Sequence, residues 1–272
     1  MRLWNTGDSE RKAAMILLKS LLSALLMYSK IPVPTVKWKE ENRRYSLCFF
    51  PLVGAVIGGI LLIWQRLCDT LEINTFLFAA VCTAVPILVT GGIHFDGFCD
   101  VVDAQSSHSS RERKLEIMSD PHIGAFAIIH SAVYFLLTAA LFSEVESISA
   151  MLMISLGFVL SRALSGLAAI TFKSAKTSGT LQSFVKPAHK KVTAFTLIIL
   201  LIFISGAMIY TDAVCGASAL ITAALVIIYC RFFSYKNYGG ITGDLAGYFL
   251  QICELAVLTA IIISLKIMEA VL

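Results

Sequence analysis

Charge is the first thing this sequence lacks. Asp, Glu, Lys and Arg make up 15% of its 272 residues, whereas hydrophobic residues make up 57%. A soluble globular domain carries about 25% charged residues, and a sphere of this size cannot hide so large an apolar excess inside itself. The shortage excludes an ordinary soluble fold and requires lipid to solvate part of the chain. It also excludes intrinsic disorder, which needs charge and polarity in place of apolar residues. Paired cysteines are missing as well. None of the cysteines forms a C-x-x-C pair, and Cys48, Cys82, Cys215, Cys230 and Cys253 lie in apolar runs. A disulfide framework or a zinc site therefore gives way to buried small hydrophobes. There is no long basic stripe: the net charge is +4 and the basic residues fall in short scattered clusters. That pattern excludes an extended nucleic-acid surface and leaves cationic loops beside a membrane.

What the sequence has in quantity is long uncharged runs. Residues 45–65, 73–93, 121–143, 192–211 and 213–230 contain no Asp, Glu, Lys or Arg, and each is long enough to cross a bilayer as a helix. Residues 147–172 and 245–265 are also long enough, each with one charge, Arg162 and Glu254. The expected fold is all-α and polytopic, with seven transmembrane helices. Basic residues alternate between the connections. Lys37, Lys39, Arg43, Arg44, Arg111, Arg113, Lys114, Lys173, Lys176, Lys186, Lys190, Lys191, Arg231 and Lys236 fall on one side, against only Arg66 and Lys266 on the other. The positive-inside rule makes the richer side cytoplasmic and puts the C-terminus outside.

Residues 12–30 are apolar but interrupted by Lys12, Lys19, Ser23 and Lys30, which fall within about 40° of one another on a helix. Such a narrow cationic stripe suits an amphipathic helix lying in the interface. The competing readings are an eighth span and a signal peptide, the latter opposed by the lack of a small-residue cleavage site before Ile31-Pro32-Val33-Pro34. Gly54, Gly58 and Gly59 suit close helix packing, a role that needs no chemistry. The whole chain, 1–272, reads as a single membrane-embedded catalytic domain, with residues 94–120 as a cytoplasmic acidic active-site segment.

The densest polar information lies in Gly91-Gly92-Ile93-His94-Phe95-Asp96-Gly97-Phe98-Cys99-Asp100-Val101-Val102-Asp103. Asp96, Asp100 and Asp103 stand at i, i+4 and i+7, within about 60° around a helix. Three like charges facing one cavity repel unless a cation joins them, and a hard divalent ion with oxygen ligands, Mg²⁺ above all, resolves that conflict. The alternative is a solvated acidic face, opposed by the apolar Phe98, Val101 and Val102 on the other side. Residues 111–120 form a second amphipathic piece, in which Glu112 and Lys114 suit ordinary ion pairs. Asp120, before Pro121, is either a helix-boundary residue or a ligand. The turn Tyr238-Gly239-Gly240-Ile241-Thr242-Gly243-Asp244 allows backbone amides to approach a phosphate, or Asp244 simply caps the following helix. Arg162 and Glu254 lie at matching depths of roughly 15 Å from the same end. An isolated charge there costs at least about 2.5–3.5 kcal/mol, so the two either pair with each other or contact substrate. His130 reads as a packing residue, and His94, beside the acids, as a functional candidate.

These segments resemble the membrane-bound cobalamin 5′-phosphate synthases, also called adenosylcobinamide-GDP ribazoletransferases. The resemblance runs through Ile31-Pro32-Val33-Pro34, Phe50-Pro51-Leu52-Val53-Gly54, the His-x-Asp-Gly-x-x-Asp-x-x-Asp string, the Leu-Glu-Ile-Met-x-Asp core, Ser161-Arg162-Ala163-Leu164, and Gly239 to Asp244 followed by Glu254. It implies condensation of α-ribazole, or its 5′-phosphate, with adenosylcobinamide-GDP, releasing GMP and requiring Mg²⁺. On this reading Asp96, Asp100 and Asp103 hold the metal, and one of them or His94 accepts the hydroxyl proton. Arg113 and Arg162 stabilise phosphate charge, and Asp120, Thr242, Asp244 and Glu254 contact substrate. The partners are the two substrates and the lipid bilayer, with a homo-oligomer left open and no nucleic acid.

A CDP-alcohol transferase is disfavoured because Cys99 precedes Asp100 where that pattern has Ala-Arg. A prenyltransferase lacks its second acidic cluster here, since Asp244 has no acidic neighbour before Glu254. A secondary transporter would spread charges along a path open to both sides, whereas these polar residues gather on one. The expected location is the cytoplasmic (inner) membrane, with active-site loops facing the cytoplasm. A topology reporter fused after Leu272 is expected to be active only outside; activity confined to the cytoplasm would overturn this orientation.

Overall fold

The computed structural model describes the backbone of residues 6–271 and the side chains of residues 10–271. Among the described residues the chain forms helices α1 (Thr6–Tyr28), α2 (Glu40–Arg43), α3 (Ser46–Leu71), α4 (Thr75–Thr90), α5 (Ile93–Ser106) and α6 (Arg111–Ile117). There follow α7 (Ala125–Ser143), α8 (Ile148–Thr171), α9 (Thr180–Val185), α10 (Lys190–Thr211), α11 (Ala213–Tyr238) and α12 (Gly243–Val271). The expected all-α polytopic membrane architecture is what the chain adopts. Six helices, α3, α7, α8, α10, α11 and α12, are each long and apolar enough to cross a membrane, and the count reaches seven when α4 and α5 are taken together. Short polar side chains fix several starts: Asn74, Ser147 and Asp212 accept the amides of Leu77, Ala150 and Cys215 at 2.9, 3.1 and 2.8 Å, as N-caps do.

The second span departs from the sequence reading. The expected run 73–93 breaks at Gly91 and Gly92, whose φ angles are +65° and +78°, and α5 leaves at 96° to α4. Left-handed backbone ends an α-helix and favours glycine. A side chain at Gly91 would also collide with the stem of Lys30. Helix α4 alone has 16 residues, and with α5 it makes one candidate span broken at this bend. Helix α5 turns off against α7 and the start of α12.

Within lipid there is no hydrophobic drive between helices, so contact must come from close packing and hydrogen bonds. Helices α3 and α8 achieve this through Gly54 and Gly58, which lie against the backbone of Phe158 and against Ser155. The Ser155 hydroxyl donates to the Gly58 carbonyl at 3.1 Å. Gly59 faces open space, so the expected packing role belongs to the first two glycines alone. Helix α8 is the axis, with Met151, Ser161 and Ala163 fully buried, whereas Leu136 of α7 and Phe195, Ile202 and Phe203 of α10 are exposed outward, as a lipid-facing surface requires. At the end opposite α5, Lys266 joins Glu144, Glu146 and Glu269 at 3.2, 3.1 and 3.5 Å.

Helix α1 begins before the expected residues 12–30, ends at Tyr28, and is not among the helices long and apolar enough to cross a membrane. It buries Ser20 and Ser23 against the bundle and exposes Met15, Leu17 and Leu18. The Lys30 amide then donates to the Val89 carbonyl at 2.7 Å, tying the end of α1 to the α4–α5 bend.

A methyl group at Gly54 would stand 2.3 Å from the Phe158 carbonyl oxygen. Gly54→Ala is expected to destabilise the protein by about 1–3 kcal/mol, read as a lowered melting temperature in detergent. Gly59→Ala, which meets nothing within 4 Å, should melt with the wild type.

Candidate functional site

The site is built where α5 crosses the start of α12. A Cβ at Gly97 would lie 2.7 Å from the Asp244 carbonyl oxygen, and one at Gly247 would lie 2.6 Å from that of His94. Both glycines let backbone meet backbone, and the approach brings the acids of α5 beside Asp244. Asp96, Asp100 and Asp244 line one open cavity of about 890 Å³, together with Lys30, Ser119 and Asp120. Burial pushes the Asp100 carboxyl up to about 7, reinforced by the negative charges of Asp96, Asp244 and Asp103 and opposed by Lys176.

Asp103 turns elsewhere. Its two oxygens accept the amides of Gly124 at 2.6 Å and Ala127 at 2.9 Å, so its carboxylate caps the N-terminus of α7, where the helix dipole favours a negative charge. Gly124 is glycine for the same reason, since a Cβ would meet the Asp103 carboxylate. The i, i+4, i+7 spacing places the three acids on one side of α5, but two meet the cavity and the third meets α7.

His94 is 6% exposed and packed beside Tyr28 and Phe50, with ring centroids at 6.1 and 5.5 Å. Burial first, and the charge of Arg162 second, hold its imidazole down to about 3, so it stays neutral at physiological pH. Asp120 accepts from the His122 amide at 3.0 Å and meets the His122 ring nitrogen at 2.6 Å, contacts that keep its carboxyl below the usual range.

Other sequence candidates lie away from the open cavity. Arg162 and Glu254 pair with each other at 2.6 Å, with side chains 1% and 6% exposed, and the Ser161 hydroxyl adds a bond to Glu254 at 3.3 Å. Of the two readings open for these charges, the structure shows the mutual ion pair. Arg113 is exposed on α6 and pairs with Glu116 at 2.8 Å. The exposed His130 bonds its own helix through the Phe126 carbonyl. In the glycine turn, the amides of Gly239 and Gly240 donate to Tyr235 and Ser234, and that of Ile241 to Lys173, so these three are not free to grip an anion. Thr242 is buried and accepts the Leu245 amide at 3.2 Å, capping α12 one residue before its first turn.

Two cations were not singled out from the sequence as site residues. Lys30 reaches the cavity because α1 ends at the bend. Lys176 is held beside the acids by backbone pairing between residues 173–175 and Ile241, and its ammonium donates to Ser119 at 3.0 Å. Neither has a local signature: each was visible only as one more basic residue in a stripe or loop.

The family model for cobalamin-5-phosphate synthase matches residues 20–262. A protein of Lachnoclostridium phytofermentans is 46% identical over 91% of this chain and 94% of its own length. One of Treponema denticola is 30% identical over 89% and 96%, and one of Clostridium botulinum 29% identical over 88% and 95%. All three are described as adenosylcobinamide-GDP ribazoletransferases. No solved structure matches the chain.

The raised carboxyl of Asp100 makes stability depend on pH. A carboxyl that binds its proton more tightly folded than unfolded contributes stability fully present at low pH and lost as pH rises toward the folded value, here about 7. In the presence of chelator, Asp100→Asn is therefore expected to melt above the wild type at pH 8, with the gap narrowing toward pH 4. A gap that is absent at pH 8 or widens on acidification would contradict the assignment.

Proposed function

The chain belongs to the cobalamin-5-phosphate synthase family, and on that premise we propose that it joins adenosylcobinamide-GDP to α-ribazole or α-ribazole 5′-phosphate with release of GMP. The observation that carries this reading is the convergence of Asp96, Asp100 and Asp244 with Lys30 on one large open cavity, with Lys176 beside it. Cleaving a diphosphate is mainly a matter of positioning and charge, and this set offers both signs.

The donors suit Mg²⁺. They are carboxylate oxygens, and Asp100 is raised by burial first and by the charges of Asp96 and Asp244 second. Among the described residues no three acidic, histidine or cysteine side chains are already gathered as a metal site, so water and substrate phosphate would have to complete the shell. Asp96, Asp100 and Asp244 would hold it, Asp244 standing where Asp103 was expected. When bound, Mg²⁺ would neutralise charge on the diphosphate and the leaving phosphate.

Lys30 and Lys176 orient the diphosphate, the role expected of Arg113 and Arg162. A ribose hydroxyl attacks the phosphorus next to cobinamide; the new O–P bond forms as the bond to GMP breaks, and the hydroxyl proton passes to a carboxylate of the same set. His94 lies in the adjoining wall, where burial disfavours its protonation. The proposal keeps the chain as one catalytic domain in the cytoplasmic membrane, α1 at the interface and the acidic cavity open to the cytoplasm, which supplies both water-borne substrates.

Purified protein given both substrates is expected to form GMP and the corrinoid product together, and only with Mg²⁺. Loss of a residue that merely supports a metal ligand typically lowers activity about 10–100-fold, so Asp96→Asn or Asp244→Asn should lower kcat by more than about 100-fold. Asp103→Ala should show its effect in the melting temperature, through a lost cap worth about 0.5–2 kcal/mol. Absence of joint product from folded wild type would overturn the reading.

A further inference from the structure

A second cavity lies behind the acids. It measures about 300 Å³, and its walls include Tyr28, Leu47, Phe50, Ala169, Leu181 and Leu250. Asp96 and Asp244 line this cavity and the open one alike, so they stand where a chamber of mixed apolar and polar walls meets the open cavity. His94 is on the chamber wall, and among the described residues its Nδ1 is buried with no hydrogen-bond partner. An orphaned buried polar atom is destabilising, a cost that a bound polar group can remove.

We propose that this chamber is the subsite for the planar aromatic base of the nucleoside acceptor. The inference rests on the transferase reading and adds to it where one substrate sits. A corrinoid is too large for a space of about 300 Å³, and a diphosphate there would meet the carboxylates of Asp96 and Asp244 without the Lys30 of the open cavity. A fused-ring base, in contrast, offers flat apolar faces to Tyr28 and Phe50 and a ring nitrogen that an otherwise unpartnered imidazole can meet. With the base inside, the attached ribose is directed past Asp96 and Asp244 into the open cavity. Its hydroxyl then meets the diphosphate where the two spaces join, so the two substrates enter from different sides of the same carboxylates.

The test is steady-state kinetics of the full-length protein, wild type against Ala169→Leu, which adds bulk to the chamber wall on α8 without touching the acids. One methylene of misfit in an apolar pocket discriminates by about 10–200-fold. The KM for α-ribazole 5′-phosphate should accordingly rise at least about tenfold, with the KM for adenosylcobinamide-GDP unchanged. α-Ribazole alone should raise the melting temperature of the wild type and not of the variant. Ala169→Val supplies a smaller step, with a smaller rise in the same KM, should the larger side chain disturb α8. Turnover in which neither KM moves, or in which the corrinoid KM moves instead, would overturn the subsite and leave the transferase reading standing. No turnover by the wild type would overturn the transferase reading, and the subsite with it.

Discussion

Gly97 and Gly247 let α5 and α12 approach until backbone meets backbone, and the rest of the site depends on that approach. Asp96 and Asp100 come from one helix and Asp244 from another, more than a hundred residues away; without the crossing they would line separate surfaces. A Cβ at either glycine would stand less than 3 Å from the backbone of the other helix, so the two helices would have to part. The crossing also makes α5 a strut. It rests on α12 through the glycines and on the first turn of α7 through Asp103, so an acidic helix that no membrane would accept is pinned at both ends.

Below this strut, the Arg162–Glu254 pair fastens α8 to α12. Two charges inside a bilayer are tolerated when they satisfy each other, and removal of one partner of a buried pair is far more damaging than the pair is stabilising. Arg162 also donates to the Phe158 carbonyl at 2.9 Å, beside Gly54, where α3 comes closest to α8. The charge pair and the glycine contact thus meet on one stretch of α8. That stretch holds the helices around it in register for the site above.

Much of this was legible in the sequence, and what was not has physical causes. Uncharged runs revealed the spans because the bilayer imposes a length and a composition that few other structures share. The acidic motif revealed a charged helix face, but periodicity describes a helix alone. It cannot say that the N-terminus of α7 stands where Asp103 points, nor that the Gly239, Gly240 and Ile241 amides are spent on α11 and on residue 173. Gly91-Gly92 stood in plain view at the end of the second run, yet a pair of glycines fits a packed helix or a sharp bend equally well. Lys30 and Lys176 were the least legible, because a lysine in a connection looks the same whether it faces water or a buried acid. Arg162 and Glu254 were the reverse case: the penalty for an isolated charge in lipid demanded partners, and their matched depths made mutual pairing one of the two readings that the structure then decided.

The shortness of α4 has a consequence for the lipid around it. Its 16 residues span about 24 Å, some way short of a hydrocarbon core of about 30 Å, and a short crossing segment is met by local thinning of the bilayer. Because the bend into α5 occurs at the end of this segment, any such thinning would fall beside the mouth of the acidic cavity.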